Sequence, residues 1–237
     1  TLSSSSAASD VYKRQIVIQA RLGSQRCRNK MIKPFAGTTL TDISIEKVLN
    51  SQIIPKGNFY LSVHEKELID IGKKHDINIF HRSEASAMSE GTPMTEIYEW
   101  WDKLPFKYVV LINACCPLLE TDTIDKFIKR YLKSNSDGMF GVVEKKNYFW
   151  DMEGNCLIPL TEAVMNTKTA DPVHEAAHCL YASKMEDIGR GVWMGDFRKK
   201  GKIELVPVPE EEIFDIDYEW EFEFYETLYK HVNKLDR

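Results

Sequence analysis

Short apolar runs alternate with stretches of helical periodicity from Ile16 to Val143, and this alternation limits the possible folds more than any other feature of the chain. Residues 16–19, 59–63, 77–80, 108–113 and 138–143 read as strands. Helix-like stretches lie between them at 40–51, with apolar Leu40, Ile43, Val48 and Leu49, at 65–75 and at 121–132. Thr92-Pro93 has the form of an N-cap followed by a first-turn proline and predicts a helix running through Trp100 and Trp101. Strands joined by helices of this length make β-α-β units. The expected fold is therefore α/β with a mostly parallel central sheet, whose ligands bind beyond the carboxyl ends of the strands.

From residue 144 to about 200 the alternation gives way to Gly, Pro and aromatic residues with short apolar runs, which reads as irregular. Residues 1–15 are Ser/Ala-rich without periodicity and read as a disordered or non-native tail, leaving 16–237 as a single domain. At 237 residues and 43% hydrophobic the chain can bury a substantial core. A net charge of −5 argues against general nucleic-acid binding, so the basic residues near the start are local equipment. Five cysteines without a C-x-x-C pair suggest neither a disulfide framework nor a cysteine-rich zinc site, and point to a reducing cytoplasm. No apolar run approaches the roughly 20 residues of a membrane span.

The first strand leads into Ala20-Arg21-Leu22-Gly23-Ser24-Gln25-Arg26, then Lys30 and the turn Lys33-Pro34-Phe35-Ala36-Gly37. A small glycine-containing loop at a strand end lets backbone N–H groups approach phosphate oxygens, and Arg21, Arg26, Arg28 and Lys30 supply the charge that a triphosphate demands. The spacing fits neither G-x-x-x-x-G-K-[ST] nor G-x-G-x-x-G. Near the other end, Phe214-Asp215-Ile216-Asp217 places two carboxylates at alternate positions of a short strand, where they project to one face and call for a cation. Magnesium bound by a few carboxylates and several waters meets that need; the other reading makes Asp217 the N-cap of a helix opening near Tyr218. Asn113 closes the fourth strand, where it either hydrogen-bonds a ligand or satisfies local backbone.

Together these stretches resemble the acylneuraminate (CMP-sialic acid synthetase-like) cytidylyltransferases, including the spore-coat polysaccharide relatives. Three motifs in the family's order carry the likeness: the A-R-x-G-S loop with Lys30 and the turn to Gly37; Val109 to Leu118, an apolar strand ending in a polar turn and Pro-Leu; and the D-I-D motif with Glu219, Phe222 and Tyr225. The resemblance implies a Rossmann-like nucleotide-diphospho-sugar transferase fold, with residues 144–200 forming an irregular acceptor and dimerisation insertion, and a homodimer. It implies magnesium-dependent transfer of CMP from CTP to a sugar acid, a nonulosonate such as sialic, legionaminic or pseudaminic acid, with release of pyrophosphate. Carried onto this chain, it assigns CTP to Ala20, Arg21, Leu22, Gly23, Ser24, Arg26, Lys30, Arg82 and Asn113. The metal falls to Asp215 and Asp217, and the chemistry to Arg21, Lys30 and Asp217. The acceptor falls to Asn113, with Lys168 and His174 among the cations left on this chain to meet its carboxylate.

The chain departs from that family in places. Gln25 stands where many members have Lys, and Met31 where they have Asn. The Asn-Gly before the family's I-Y strand is here His178-Cys179-Leu180-Tyr181, and Asp171-Pro172-Val173-His174-Glu175 replaces an arginine-rich stretch, so the acceptor class extends to Kdo-type and other keto acids. A rival reading is zinc hydrolysis, since His174-Glu175-Ala176-Ala177-His178 matches H-E-x-x-H, provided these five residues lie on one helix. A non-catalytic nucleotide-binding protein is a third reading, disfavoured by the paired aspartates.

Overall fold

The computed structural model describes residues 14–88, 91–158, 165–193, 196, 198–199 and 202–235. Seven strands form one sheet: β1 (Arg14–Gln19), β2 (Phe59–Val63), β3 (Asn78–His81), β4 (Tyr108–Ile112), β5 (Gly138–Lys145), β6 (Val173–Lys184) and β7 (Ile203–Pro207). Their order is β3-β2-β1-β4-β6-β5-β7. β1 pairs in parallel with both β2 and β4, β2 with β3, and β5 with β7; β6 alone runs antiparallel, between β4 and β5. The chain builds outward from β1 to β3 and then crosses back to place β4 on β1's other side. That reversal opens a crevice beyond the carboxyl ends of β1 and β4, the position where such sheets bind ligands.

The central strands are apolar on both faces because both faces are covered: Ile16, Val17 and Ile18 in β1 and Val109, Val110 and Ile112 in β4 are all buried. One face packs against α1 (Leu40–Leu49), α2 (Lys66–Lys74), α5 (Thr121–Lys133) and α7 (Glu219–Val232), the other against the layer that holds Trp100, Met185 and Ile188. In α5, Ile124, Phe127, Ile128 and Tyr131 recur at helical spacing and form its buried face. α1 starts where Thr39 Oγ1 accepts the Asp42 amide (3.1 Å), an N-cap that satisfies one of the first-turn donors.

Three expectations change. Arg14 and Gln15, read as part of the tail, belong to β1 and pair with Tyr108 and Val109, whereas residues 1–13 lie outside the described residues. The predicted helix from Thr92 through Trp101 breaks into α4 (Met94–Ile97), following the single turn α3 (Glu84–Ala87), and a 3₁₀ turn at Glu99–Trp101. Tyr98, at ψ 39°, leaves the helical region. The fully buried Trp100 indole donates to Gln19 Oε1 (2.9 Å), so tertiary packing sets the backbone there. The region read as irregular contains the 12-residue β6, followed by α6 (Met185–Gly189). Its first half is mostly exposed and its second half mostly buried, so no single period runs along it.

Candidate active site

The N-terminal loop and the C-terminal carboxylates meet because α7 docks on the turn that follows the loop. Phe35 is fully buried and stands edge-on to Phe222 (5.2 Å between centroids) and Tyr229 (5.5 Å). Phe35 and Thr38 exchange two backbone hydrogen bonds across Ala36 and Gly37, both at positive φ (49° and 81°), a two-residue turn that favours glycine at its second position. The Ala36 amide donates to Glu226 Oε1 (2.9 Å), and Lys33 pairs with Glu219 (2.6 Å). Ahead of α7, the segment holding Asp215 and Asp217 is coil rather than a strand. Its middle residue, Ile216, is fully buried and donates its amide to the Cys115 carbonyl (3.0 Å) in the turn after β4.

The result is a cleft of about 500 Å³ lined by Gln19, Ala20, Arg21, Gly23, Ser24, Gln25, Arg26, Lys30, Met31, Cys115, Asp215 and Asp217. A larger surface hollow lies beside Arg130 and Glu204, but this one coincides with the crevice that the strand order creates. Arg26 meets Asp217 Oδ2 at 2.7 Å and lies 5.2 Å from the centre of the Tyr218 ring. Lys30, 8% exposed, donates to the Ile216 carbonyl and reaches Asp217 Oδ1 at 3.3 Å. Burial works against its ammonium, yet the surrounding Cys115, Asp215 and Asp217 outweigh that and hold its pKa above the ordinary range. Burial also pushes the Cys115 thiol up to about 11.

Asp217 does not cap the helix. Tyr218 takes the N-cap position, and Glu221 reaches back to accept the amides of Asp217 (2.7 Å) and Tyr218 (2.9 Å), leaving the Asp217 carboxylate to the cleft. Asp215 is raised above the ordinary carboxylate range, by burial first and by Lys30 and Asn113 only partly offset, with Asp217 adding repulsion. Its Oδ2 accepts from Asn113 Nδ2 (3.2 Å), whereas its buried Oδ1 has no hydrogen-bond partner. An orphaned carboxylate oxygen beside a second acid, in a cleft open to water, fits a hard divalent cation completed by phosphate oxygens and water. Among the described residues no three metal-ligating side chains converge.

The loop backbone presents donors as well as charge. Among the described residues, the amides of Gly23, Gln25 and Arg26 take no protein acceptor. A Cβ added at Gly23 would meet nothing within 4 Å, so this face of the loop is open. The Leu22 amide is engaged by Glu65 Oε1 (2.7 Å) from the carboxyl end of β2, a contact not anticipated from the sequence. Its position two residues past a parallel strand is the signal that would have found it. Arg21 reaches the Met88 carbonyl (2.5 Å). Arg82 lies behind the loop, 5% exposed, donating to Ala20 O (3.3 Å) and to Ser86, and burial lowers it to about 10.

Arg28, Lys168 and His174 are exposed and do not line the cleft. His174 faces Glu144 across the β5–β6 ladder. The zinc reading fails here: the five residues from His174 to His178 form part of a strand, and His178 has φ 52°, so the helical i, i+4 pairing that the motif requires does not exist.

A family model for cytidylyltransferases matches residues 15–188, and the chain belongs to that family. The matched span includes the loop, Lys30 and Asn113 and ends before the aspartate pair. Among curated proteins it is 25% identical over 127 residues to the spore coat polysaccharide biosynthesis protein SpsF of Bacillus subtilis, covering 51% of this chain and 50% of SpsF. It is 23% identical over 123 residues to the uncharacterized protein MJ1063 of Methanocaldococcus jannaschii, covering 51% and 48%. The chain thus spans about half the length of the curated relatives it matches. Among solved structures it is similar to a CMP:2-keto-3-deoxy-manno-octonic acid synthetase complexed with CTP (TM-score 0.66, 12% identity, 93% of this chain and 99% of that one). It is also similar to a cytidylyltransferase of Leptospira borgpetersenii (0.60, 16%, 94% and 87%) and to the 4-diphosphocytidyl-2C-methyl-D-erythritol synthase of Anaerococcus prevotii (0.64, 13%, 93% and 98%). At these identities the likeness is one of fold.

Proposed function

We propose that this chain transfers CMP from CTP to a hydroxyl of a sugar acid, with a nonulosonate as the leading acceptor class and Kdo-type keto acids as the alternative. The observation that carries this reading is the meeting of Arg21, Arg26 and Lys30 with Asp215 and Asp217 in one cleft at the strand-order reversal. Family membership and the likeness to SpsF support a cytidylyl donor and a carbohydrate acceptor.

In this reaction the acceptor oxygen forms a bond to the α-phosphorus, the α–β phosphoanhydride bond breaks, pyrophosphate leaves and the hydroxyl proton passes to solvent. No covalent nucleophile on the protein is needed; positioning and charge neutralisation suffice. Arg21, Arg26 and Lys30 neutralise the triphosphate, and the open amides of Gly23, Gln25 and Arg26 bind its oxygens. Magnesium held by Asp215 and Asp217 would polarise the phosphates and favour departure of pyrophosphate. Pairing with a second copy of the chain belongs to the same reading.

Pyrophosphate release measured with each of the four nucleoside triphosphates, against a panel of 2-keto-3-deoxy sugar acids and with or without magnesium, tests it. Release with CTP alone among the nucleotides, dependent on acceptor and metal, is the expected result. Turnover of CTP without any acceptor on the panel would remove the sugar-acid assignment.

A further inference from the structure

Asn113 has no hydrogen-bond donor left for a ligand. Its Oδ1 accepts the Cys115 amide (2.9 Å), and its Nδ2 donates to the His178 carbonyl (2.9 Å) and to Asp215 Oδ2 (3.2 Å). A carboxamide carries two donor hydrogens, and both are placed here. Its backbone amide goes to the Cys179 carbonyl (2.9 Å). Contact with a base or an acceptor through this side chain's donors would first have to break one of these bonds.

The bonds join three separate elements: the turn after β4, strand β6 and the coil segment before α7. β6 is shaped for its part. Its register against β5 jumps from Phe140↔Tyr181 to Val142↔Ala176, so residues 177–180 have only Gly141 opposite them. Within this bulge His178 takes the left-handed conformation (φ 52°), an uncommon state for a residue with a Cβ that persists only where surroundings enforce it. Its carbonyl accepts from the Tyr181 hydroxyl (2.7 Å) as well as from Asn113. The Cys115 carbonyl in turn receives the Ile216 amide, so the segment carrying Asp215 is tied to Asn113's turn by backbone as well as by side chain.

We infer that Asn113 is a positioning residue that holds Asp215 Oδ2 against the β6 bulge, so that the partnerless Oδ1 is presented to a divalent cation. This rests on the proposed role of Asp215 and Asp217 as metal ligands. It assigns Asn113 to the carboxylate instead of to cytosine or the acceptor, and it gives the strained bulge in β6 a purpose: its carbonyl fixes the amide that fixes the acid.

The test is Mn²⁺ binding to the CTP complex, followed by electron paramagnetic resonance, in the wild type, Asn113→Ala, Asp215→Asn and the double variant. Loss of such an outer partner weakens metal binding by roughly 10–100-fold. That loss is expected for Asn113→Ala, with the KM for CTP at saturating metal changed less than about threefold on the same scale. In the Asp215→Asn background Asn113→Ala should cost nothing further, because it acts through the carboxylate. Where the alanine variant does not fold, Asn113→Asp substitutes for it: it keeps the acceptor for the Cys115 amide but turns an oxygen toward Asp215 and the His178 carbonyl, and should lose Mn²⁺ at least as severely. Unchanged Mn²⁺ affinity with a raised KM for CTP or acceptor in Asn113→Ala would overturn the inference while leaving the metal pair intact. Unchanged Mn²⁺ affinity in Asp215→Asn would instead overturn the metal reading beneath it.

Discussion

Lys30 and Asp217 are 187 positions apart in sequence, and the ammonium of one stands 3.3 Å from the carboxylate of the other. The contact is the covalently distant seam of the site: a cation from the loop after the first strand and an acid from the approach to the last helix. Because Lys30 is almost fully buried, its charge acts in a medium of lower dielectric than water, and losing it is felt more strongly than losing a surface lysine.

Lys30→Met keeps the length and apolar stem of the side chain while removing the charge. A preorganised charge of this kind is worth about 10²–10³ in turnover. The expected outcome is a fall of that size in kcat/KM for CTP, read by pyrophosphate release. A variant with wild-type rates would exclude Lys30 from the chemistry.

Arg26 presents the opposite case. Its pairing with Asp217 is solvent-exposed on the arginine side, and such pairs contribute little to stability. Arg26→Ala should therefore leave the urea midpoint nearly unchanged. A hydrogen bond from a charged donor to a phosphate is stronger than a neutral one, so CTP binding should weaken by roughly 10–100-fold. Calorimetric titration with CTP distinguishes the two effects; intact affinity would mean that Arg26 serves only as Asp217's partner.

The parts of the site legible in the sequence were those written as local chemistry. A strand, a glycine-containing basic loop and an apolar-flanked acid pair each show their character within a few residues. The alternation of periods likewise made the parallel sheet readable. What escaped was set by partners far away in sequence. Glu65 reads as an ordinary residue at a helix start until Leu22 arrives at its carboxylate. Thr92-Pro93 signals a helix start that should run through Trp100, but burial of the indole against Gln19 breaks the helix. β6 hides because its exposed first half and buried second half follow different patterns, and within it His178 adopts a backbone state that no side-chain pattern encodes.

Phe35 links fold to site. It is fully buried against Phe222 and Tyr229, and its turn receives Glu226 from α7. Phe35→Ala should cost about 3–5 kcal/mol. Because α7 and the loop are held together through this contact, the loss of CTP affinity should exceed that of a surface control substitution at temperatures where the variant is still folded. Chemical denaturation and nucleotide titration on the same sample check both halves; a small stability change would show that α7 docks by other means.

Asp42 offers a pH signature remote from the cleft. Its carboxylate is buried between α1 and α2, where it accepts from Thr39 Oγ1 (2.6 Å), Lys74 Nζ (3.1 Å) and His75 Nε2 (2.7 Å). Burial alone would raise its pKa, but the bonds from Thr39, His75 and Lys74 outweigh it and hold the pKa below the ordinary 3.8. A carboxylate depressed in the native state contributes its full stability above the unfolded value, and that contribution is lost as pH falls through the lower native value. Asp42→Asn should thus cost about 1–3 kcal/mol near neutrality, the range for disrupting a buried hydrogen-bonded group. The gap between wild type and variant should then narrow as pH drops below 3.8. Urea unfolding of both proteins across the acid limb measures it; a gap that stayed constant with pH would show that the carboxyl group, charged or neutral, is bonded equally well.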